Sequence, residues 1–156
     1  LDEPLAESHF RIAAAKENPD LIEDINRALA ALDDNGTLKK IIDGCYDDKS
    51  YRYTPPEVPE DAKTLLIAVG GDFPPYKGTD ENGELYGIDI DVARAVCAYL
   101  GYNAEFTVTD SSKLIAKVQS GDVYFAIGGI TANSDSADKC IMSEPYAVCT
   151  QVIIVK

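Results

Sequence analysis

Few side chains in this 156-residue sequence are of the kind that make and break bonds, and their spacing narrows the options. His9 is the only histidine, which removes most metal sites and any Ser-His-Asp arrangement. Cys45, Cys97, Cys140 and Cys149 match no zinc-ligand spacing and have no histidine near them. Fully bridged, four cysteines allow three pairings, and an extracytoplasmic setting permits bridges. Cys97 falls on an apolar helix face, however, where an unpaired buried thiol fits as well. The acidic pairs Asp89/Asp91 and Asp33/Asp34 remain as candidates for acid–base or metal work. Residues two apart on a helix do not face each other, so Asp89 is read as a helix cap and Asp135 and Asp138 as solvated. No catalytic residue, metal site or cofactor is assigned.

What the sequence does offer is a place to bind. The unbroken apolar run at 65–69 reads as a strand covered on both faces. Gly70-Gly71 lets the chain turn sharply, and Phe73-Pro74-Pro75-Tyr76 holds two aromatic rings in an extended, low-entropy loop. A loop after the carboxyl end of a central parallel strand is where open α/β sheets bind ligands. Asn82-Gly83 reads as a tight turn between short extended arms. Asp89 then opens a helix with Val92, Ala93, Val96 and Leu100 on one face and Gly101 as its stop.

The remaining elements must position that loop. Residues 1–11 read as polar and extended, with a short strand at 10–16. Asn18-Pro19-Asp20 opens a helix carrying Leu21, Ile22, Ile25, Leu29 and Leu32 at helical spacing, ended by Asp33-Asp34-Asn35-Gly36. Thr37 caps a shorter helix closed by Gly44, and 47–63, with Pro55, Pro56 and Pro59, reads as a surface linker. Further on come a strand at 104–108, a helix capped by Ser111 or Ser112, a buried strand at 123–127 and a last strand at 148–155. Alternating strands and helices predict one three-layer α/β/α domain with a mainly parallel sheet. Hydrophobic content of 46% with 26% charged excludes disorder. A net charge of −13 argues against nucleic acid, because nothing here could neutralise phosphates, and reads as a soluble acidic surface. The apolar runs are too short to span a bilayer and no signal-peptide pattern is present, so a chain starting at Leu1 is expected to be a processed or excised form.

FPPY, the turn at Gly83, GIDIDVARAV and Leu100-Gly101, followed by SSKLIAKVQSGDVYFAIGGIT and SEPYAVCTQVIIVK, resemble in order and spacing the start of the type-2 periplasmic solute-binding proteins. The resemblance is to the family-3 amino-acid receptors of ABC importers in particular. It implies an extracytoplasmic receptor of two hinged lobes that binds an amino acid or related small polar solute and docks on an ABC permease. An alternative use of the same fold is the ligand-sensing input domain of a membrane receptor. A few relatives of the fold act as dehydratases, but one histidine and no clustered acid–base groups argue against an enzyme.

In that family the first lobe holds the ligand carboxylate with an Arg, a hydroxyl and backbone N–H groups, while an aromatic ring stacks on the side chain. The rigid fork of a guanidinium matches a carboxylate. By position, the resemblance implies that Phe73 is the first pocket aromatic, or else a loop ring packed on the lobe. Gly129 falls where a backbone N–H faces the carboxylate. Thr131 falls at the hydroxyl donor, or is a strand-end Thr bonding backbone, and Gly70, Gly71 and Asp72 line the rim. Ser136 stands where the family has its clamping Arg, and Ser111 where it has a second aromatic; Arg94 belongs to the helix after the opening loop. Losing a charge-assisted hydrogen bond costs roughly 1.5–3 kcal/mol, tenfold or more in affinity. The expectation is an uncharged or larger solute, or a degenerate site. Tyr124, where an Asp is more usual, reads as a packing change.

The stretch FRIAAAKENPDLIEDINRALAALDDNGTLKKIIDGCY resembles the carboxyl-terminal end of the same family, yet it comes first. The expectation is a single lobe in permuted order: 1–46 as the family's closing segment, 47–63 as linker, and 64–156 as its opening segment up to the hinge strand. The alternative is that 1–46 form an unrelated helical hairpin.

Overall fold

Residues 6–151 are described by a computed structural model. Strand β1 (Ala6–Ala14) leads into helix α1 (Pro19–Asp34), where Pro19 occupies the first turn and its missing N–H is of no consequence. Leu21, Ile22, Ile25, Leu29 and Leu32 lie on one stripe of α1 and all are buried. Helix α2 (Thr37–Asp47) turns Leu38, Ile41 and Cys45 inward. Strand β2 (Thr64–Val69) is followed by the hairpin β3 (Gly78–Thr79) and β4 (Leu85–Tyr86), then helix α3 (Ile88–Tyr99) and strand β5 (Asn103–Val108). Helix α4 (Leu114–Gln119), strand β6 (Phe125–Ile127), the short α5 (Ser134–Ala137) and strand β7 (Ile141–Gln151) complete the chain.

The main sheet has the order β5-β2-β6-β1-β7. β5, β2 and β6 are parallel, and β1 runs antiparallel to both of its neighbours. The sheet is therefore mixed, with three layers of α/β/α. On one face Ile12, Ile67, Val69, Phe125 and Ile127 meet α1, α2 and α3 in a single core. Each such side chain contributes about 1.5–3 kcal/mol on burial. On the other face Ala13, Ala126 and Ala68 lie side by side across three strands. That row of small residues admits α4, whose Leu114 and Val118 pack there with Ile130 and Cys140. Because α1 shares its core with β2 and β6, the first segment is no detached hairpin.

Several local expectations are corrected. β1 starts at Ala6, pairing with β7 from Ala6↔Gln151 onward. α2 runs through Gly44 to Asp47: a Cβ at Gly44 would lie 2.8 Å from the Tyr51 ring, so this glycine makes room for a linker side chain instead of ending a helix. Thr37 is the first residue of α2, whose cap is Gly36 at φ 83°. Asp110, not a serine, caps the 3-10 turn before α4, accepting from the Ser112 N–H at 3.0 Å. β7 begins at Ile141 and continues through Pro145; as an edge strand paired only with β1 it tolerates a residue without an N–H. Residues 1–5, read as polar and extended, and 152–155, read as the end of the last strand, lie outside the described residues. All four cysteines are free thiols, and among the described residues no helix is long and apolar enough to cross a membrane.

Candidate functional site

Adjacent parallel strands β2 and β6 end level with each other, each in a glycine pair. The glycines are required by the close approach of the two loops. A Cβ at Gly128 would sit 3.0 Å from the Gly70 nitrogen, and one at Gly70 would sit 2.5 Å from Ser111 Oγ. Ser111 Oγ instead accepts the Gly71 N–H at 3.2 Å. Above these ends opens a cleft of about 240 Å³, walled by Gly70, Gly71, Ser111, Gly128 and Gly129 with Phe10, Phe73 and Asp89. Phe73 is 55% exposed. Its ring stacks on Tyr76 with centroids 5.7 Å apart, and Tyr76 in turn meets Phe10 edge-on at 5.0 Å. A rigid, solvent-facing aromatic over a polar backbone floor suits a small solute with a planar or apolar part.

Asp89 is the ionisable wall of this cleft and is only 2% exposed. Tyr146 donates its hydroxyl to Asp89 Oδ1 at 2.6 Å. Burial pushes the Asp89 carboxyl up to about 7, with the Tyr146 hydrogen bond pulling the other way. The same burial, reinforced by Asp89, holds the Tyr146 phenol well above its ordinary value. The reading of Asp89 as a helix cap is corrected: α3 opens at Gly87–Ile88, and the Asp89 side chain turns inward. Asp91, fully buried, faces elsewhere. Its Oδ2 accepts from the Tyr53 N–H at 3.2 Å and lies 3.7 Å from Cys45 Sγ, while Oδ1 has no partner among the described residues. Burial, then the Asp91 charge, pushes the Cys45 thiol up to about 12. The two acids thus do different work, one walling the cleft and one fastening the linker to α3. Among the described residues no group of three or more His, Cys, Asp or Glu is placed to hold a metal.

Of the residues singled out from sequence, Phe73, Ser111 and Gly129 come together in the cleft. Asp72 is exposed and accepts from the nearly buried Lys77 Nζ at 2.8 Å, which ties down the loop and lowers the Asp72 pKa. Thr131 lines a second hollow of about 310 Å³ with Arg11, His9 and Glu7. Ser136, 7% exposed, forms a reciprocal capping box with Asn133 at α5 and donates its hydroxyl to Thr131 O at 3.0 Å. Asp138 is exposed, and the Asp135 side chain lies outside the described residues. Phe10, Arg11 and Asp89 were not singled out for the site. Only the pairing of β1 with β6 and β7 brings Phe10 to the cleft and Arg11 to the neighbouring hollow, and no local signal announces it. A larger hollow, about 420 Å³, lies between α1, α2 and residues 144–146. It is a gap between two helices away from the strand ends, without their convergent backbone groups.

Residues 65–156 match the sequence profile described as "Bacterial extracellular solute-binding proteins, family 3". An arginine-binding periplasmic protein of Mannheimia haemolytica is 29% identical over 91 residues, which cover 58% of this chain and 38% of that protein. A probable histidine-binding protein of Neisseria gonorrhoeae is 27% identical over 93 residues, 60% of this chain and 35% of that one. The structure of an ancestral arginine-binding protein bound to arginine is 37% identical over 49% of this chain and 34% of its own, at a TM-score of 0.47. The matched part of this chain spans little more than a third of the length of these curated relatives.

Proposed function

The chain belongs to the family 3 bacterial extracellular solute-binding proteins, and from that footing we propose that it is one solute-binding lobe of such a receptor, written in permuted order. Residues 1–46 are the family's closing segment, 47–63 a linker, and 64–156 its opening segment up to the hinge strand. Two facts support this: the family match begins at residue 65, and what precedes it supplies the strand between β6 and β7 and two helices of the same core. The solute is small and polar, an amino acid or a relative of one. A second lobe closes over it, and the closed receptor presents itself outside the cytoplasm to an ABC permease. The lobe binds and orients; it makes no bonds.

The observation that carries this reading is the cleft, where Phe73, Ser111 and Gly129 converge from three loops at the carboxyl ends of β2, β5 and β6. One lobe supplies half of the contacts and excludes little water, so the isolated chain binds weakly. Calorimetric titration with the common amino acids is expected to give dissociation constants on the order of 0.1–1 mM. A submicromolar constant would contradict the single-lobe reading.

A further inference from the structure

No residue lining the cleft carries a positive charge. A guanidinium nevertheless stands next door. Phe10 lines the cleft and Arg11 the neighbouring hollow, just as Gly129 lines the cleft and Thr131 the hollow. The two are stitched together by the Arg11 N–H, which donates to Ile130 O at 2.8 Å.

The β1–β7 ladder is irregular at this one place. Three steps along β1, from Phe10 to Ala13, match five along β7, from Ala147 to Met142, so β7 bulges on both sides of the Arg11–Pro145 pair. Bulges re-aim side chains and gather beside functional sites. Here one bulge turns Ser143 O toward Arg11 Nη1, which donates to it at 3.0 Å. Arg11 Nε is left buried with no acceptor. A guanidinium has five N–H donors arranged to grip a planar anion, and this one has a single acceptor among the described residues. No carboxylate among them lies within ion-pair distance. Glu7, the acid of the same hollow, is four residues up the strand, about 13 Å away, and its nearer partner is His9 at 3.7 Å.

We propose that Arg11, together with the Thr131 hydroxyl, holds a carboxylate of the solute. The solute then reaches from the Phe73 ring across Gly129 into the Arg11 hollow. Ser136 leaves that role open, since its hydroxyl is engaged by Thr131 O and Asn133 Oδ1 just ahead of α5. The solute class is a carboxylic acid longer than the cleft, with a planar or apolar part at Phe73. This rests on reading the cleft as the solute site.

The test titrates the isotope-labelled full chain with the common L-amino acids and with the α-carboxamide of each binder, following the Arg11 Nε–Hε and Phe73 ring signals by NMR. The expected result is an acid that moves both signals and an amide that binds wild type at least tenfold more weakly. Arg11→Met loses the same tenfold for the acid and treats the amide as wild type does, and Thr131→Val falls in the same direction. A thermal melt checks that both variants fold. Should Arg11→Met fail that check, the acid–amide comparison on wild type decides by itself, and equal affinities overturn the proposal. Acid binding unchanged in Arg11→Met but lost in Phe73→Ala also overturns it while leaving the cleft reading intact. Binding of no probe to wild type overturns both.

Discussion

Asp89→Asn is the most informative single change, because the burial of this carboxyl gives its effect a definite sign and an approximate size. Burial raises the Asp89 carboxyl from its ordinary 3.8 to about 7. Between those values the folded chain holds a proton that the unfolded chain has released. Stability therefore falls as pH rises through that window and levels off above about pH 7. Three pKa units at 1.36 kcal/mol each give a loss of about 4 kcal/mol between pH 4 and pH 8. Asparagine keeps the acceptor for the Tyr146 hydroxyl and removes the titration. Subtracting the urea-unfolding free energies of wild type from those of Asp89→Asn, pH by pH, cancels every other group. Among these are Asp91, also raised by burial, and Asp72, Asp80 and Asp110, which their hydrogen bonds lower. The difference should grow by about 4 kcal/mol in favour of the variant from pH 4 to pH 8. A difference flat to within about 1 kcal/mol would refute the claim that this cleft wall is dry enough to hold a neutral carboxyl.

Three further outcomes follow from the packing. Phe73→Ala should change stability by no more than about 1.5 kcal/mol, the worth of its stack on Tyr76, yet weaken any solute titration about tenfold; unchanged binding by calorimetry would remove Phe73 from the site. Gly44→Ala should destabilise by about 1–3 kcal/mol in urea because the new methyl meets the Tyr51 ring. In a Tyr51→Ala background the same change should instead stabilise by up to about 1 kcal/mol through helix propensity, and a like effect in both backgrounds would dismiss the contact. Removing residues 1–46 strips β6 and β7 of their shared partner and the core of two helices; the remainder is expected to show no cooperative melt, and a sharp calorimetric transition would speak against an interdependent lobe.

Where the sequence was legible, one local rule sufficed. The helical spacing of Leu21 to Leu32 after Asn18-Pro19, and the apolar run before Gly70-Gly71, landed as α1 and β2 because patterning and punctuation agreed. Phe73, Ser111 and Gly129 met in one cleft because each follows a strand of the same parallel set. The failures share a cause of another kind. Gly44 looks like a stop until the Tyr51 ring is seen against it, and Pro145 looks like a boundary until β7 proves to be an edge strand. Helix periodicity separates Asp89 from Asp91 but cannot say that one meets Tyr146, 57 residues away, and the other the linker. Ser136 could be matched by position, yet its hydroxyl is consumed by a capping box that only the local backbone reveals. In each case the deciding partner is far off in sequence or set by geometry that composition does not encode.

The place of β1 has a consequence for how the molecule is made. It leaves the ribosome well ahead of β6 and β7, the two strands that hydrogen-bond to it. At about 5–20 residues per second the nascent β1 and the oily stripe of α1 wait roughly ten seconds for their partners. Closing so long a chain segment is also a slow step in its own right. Every newborn copy thus passes through an interval in which β1 and α1 are sticky and unsheltered, and whatever escorts the polypeptide must cover them until β6 and β7 arrive.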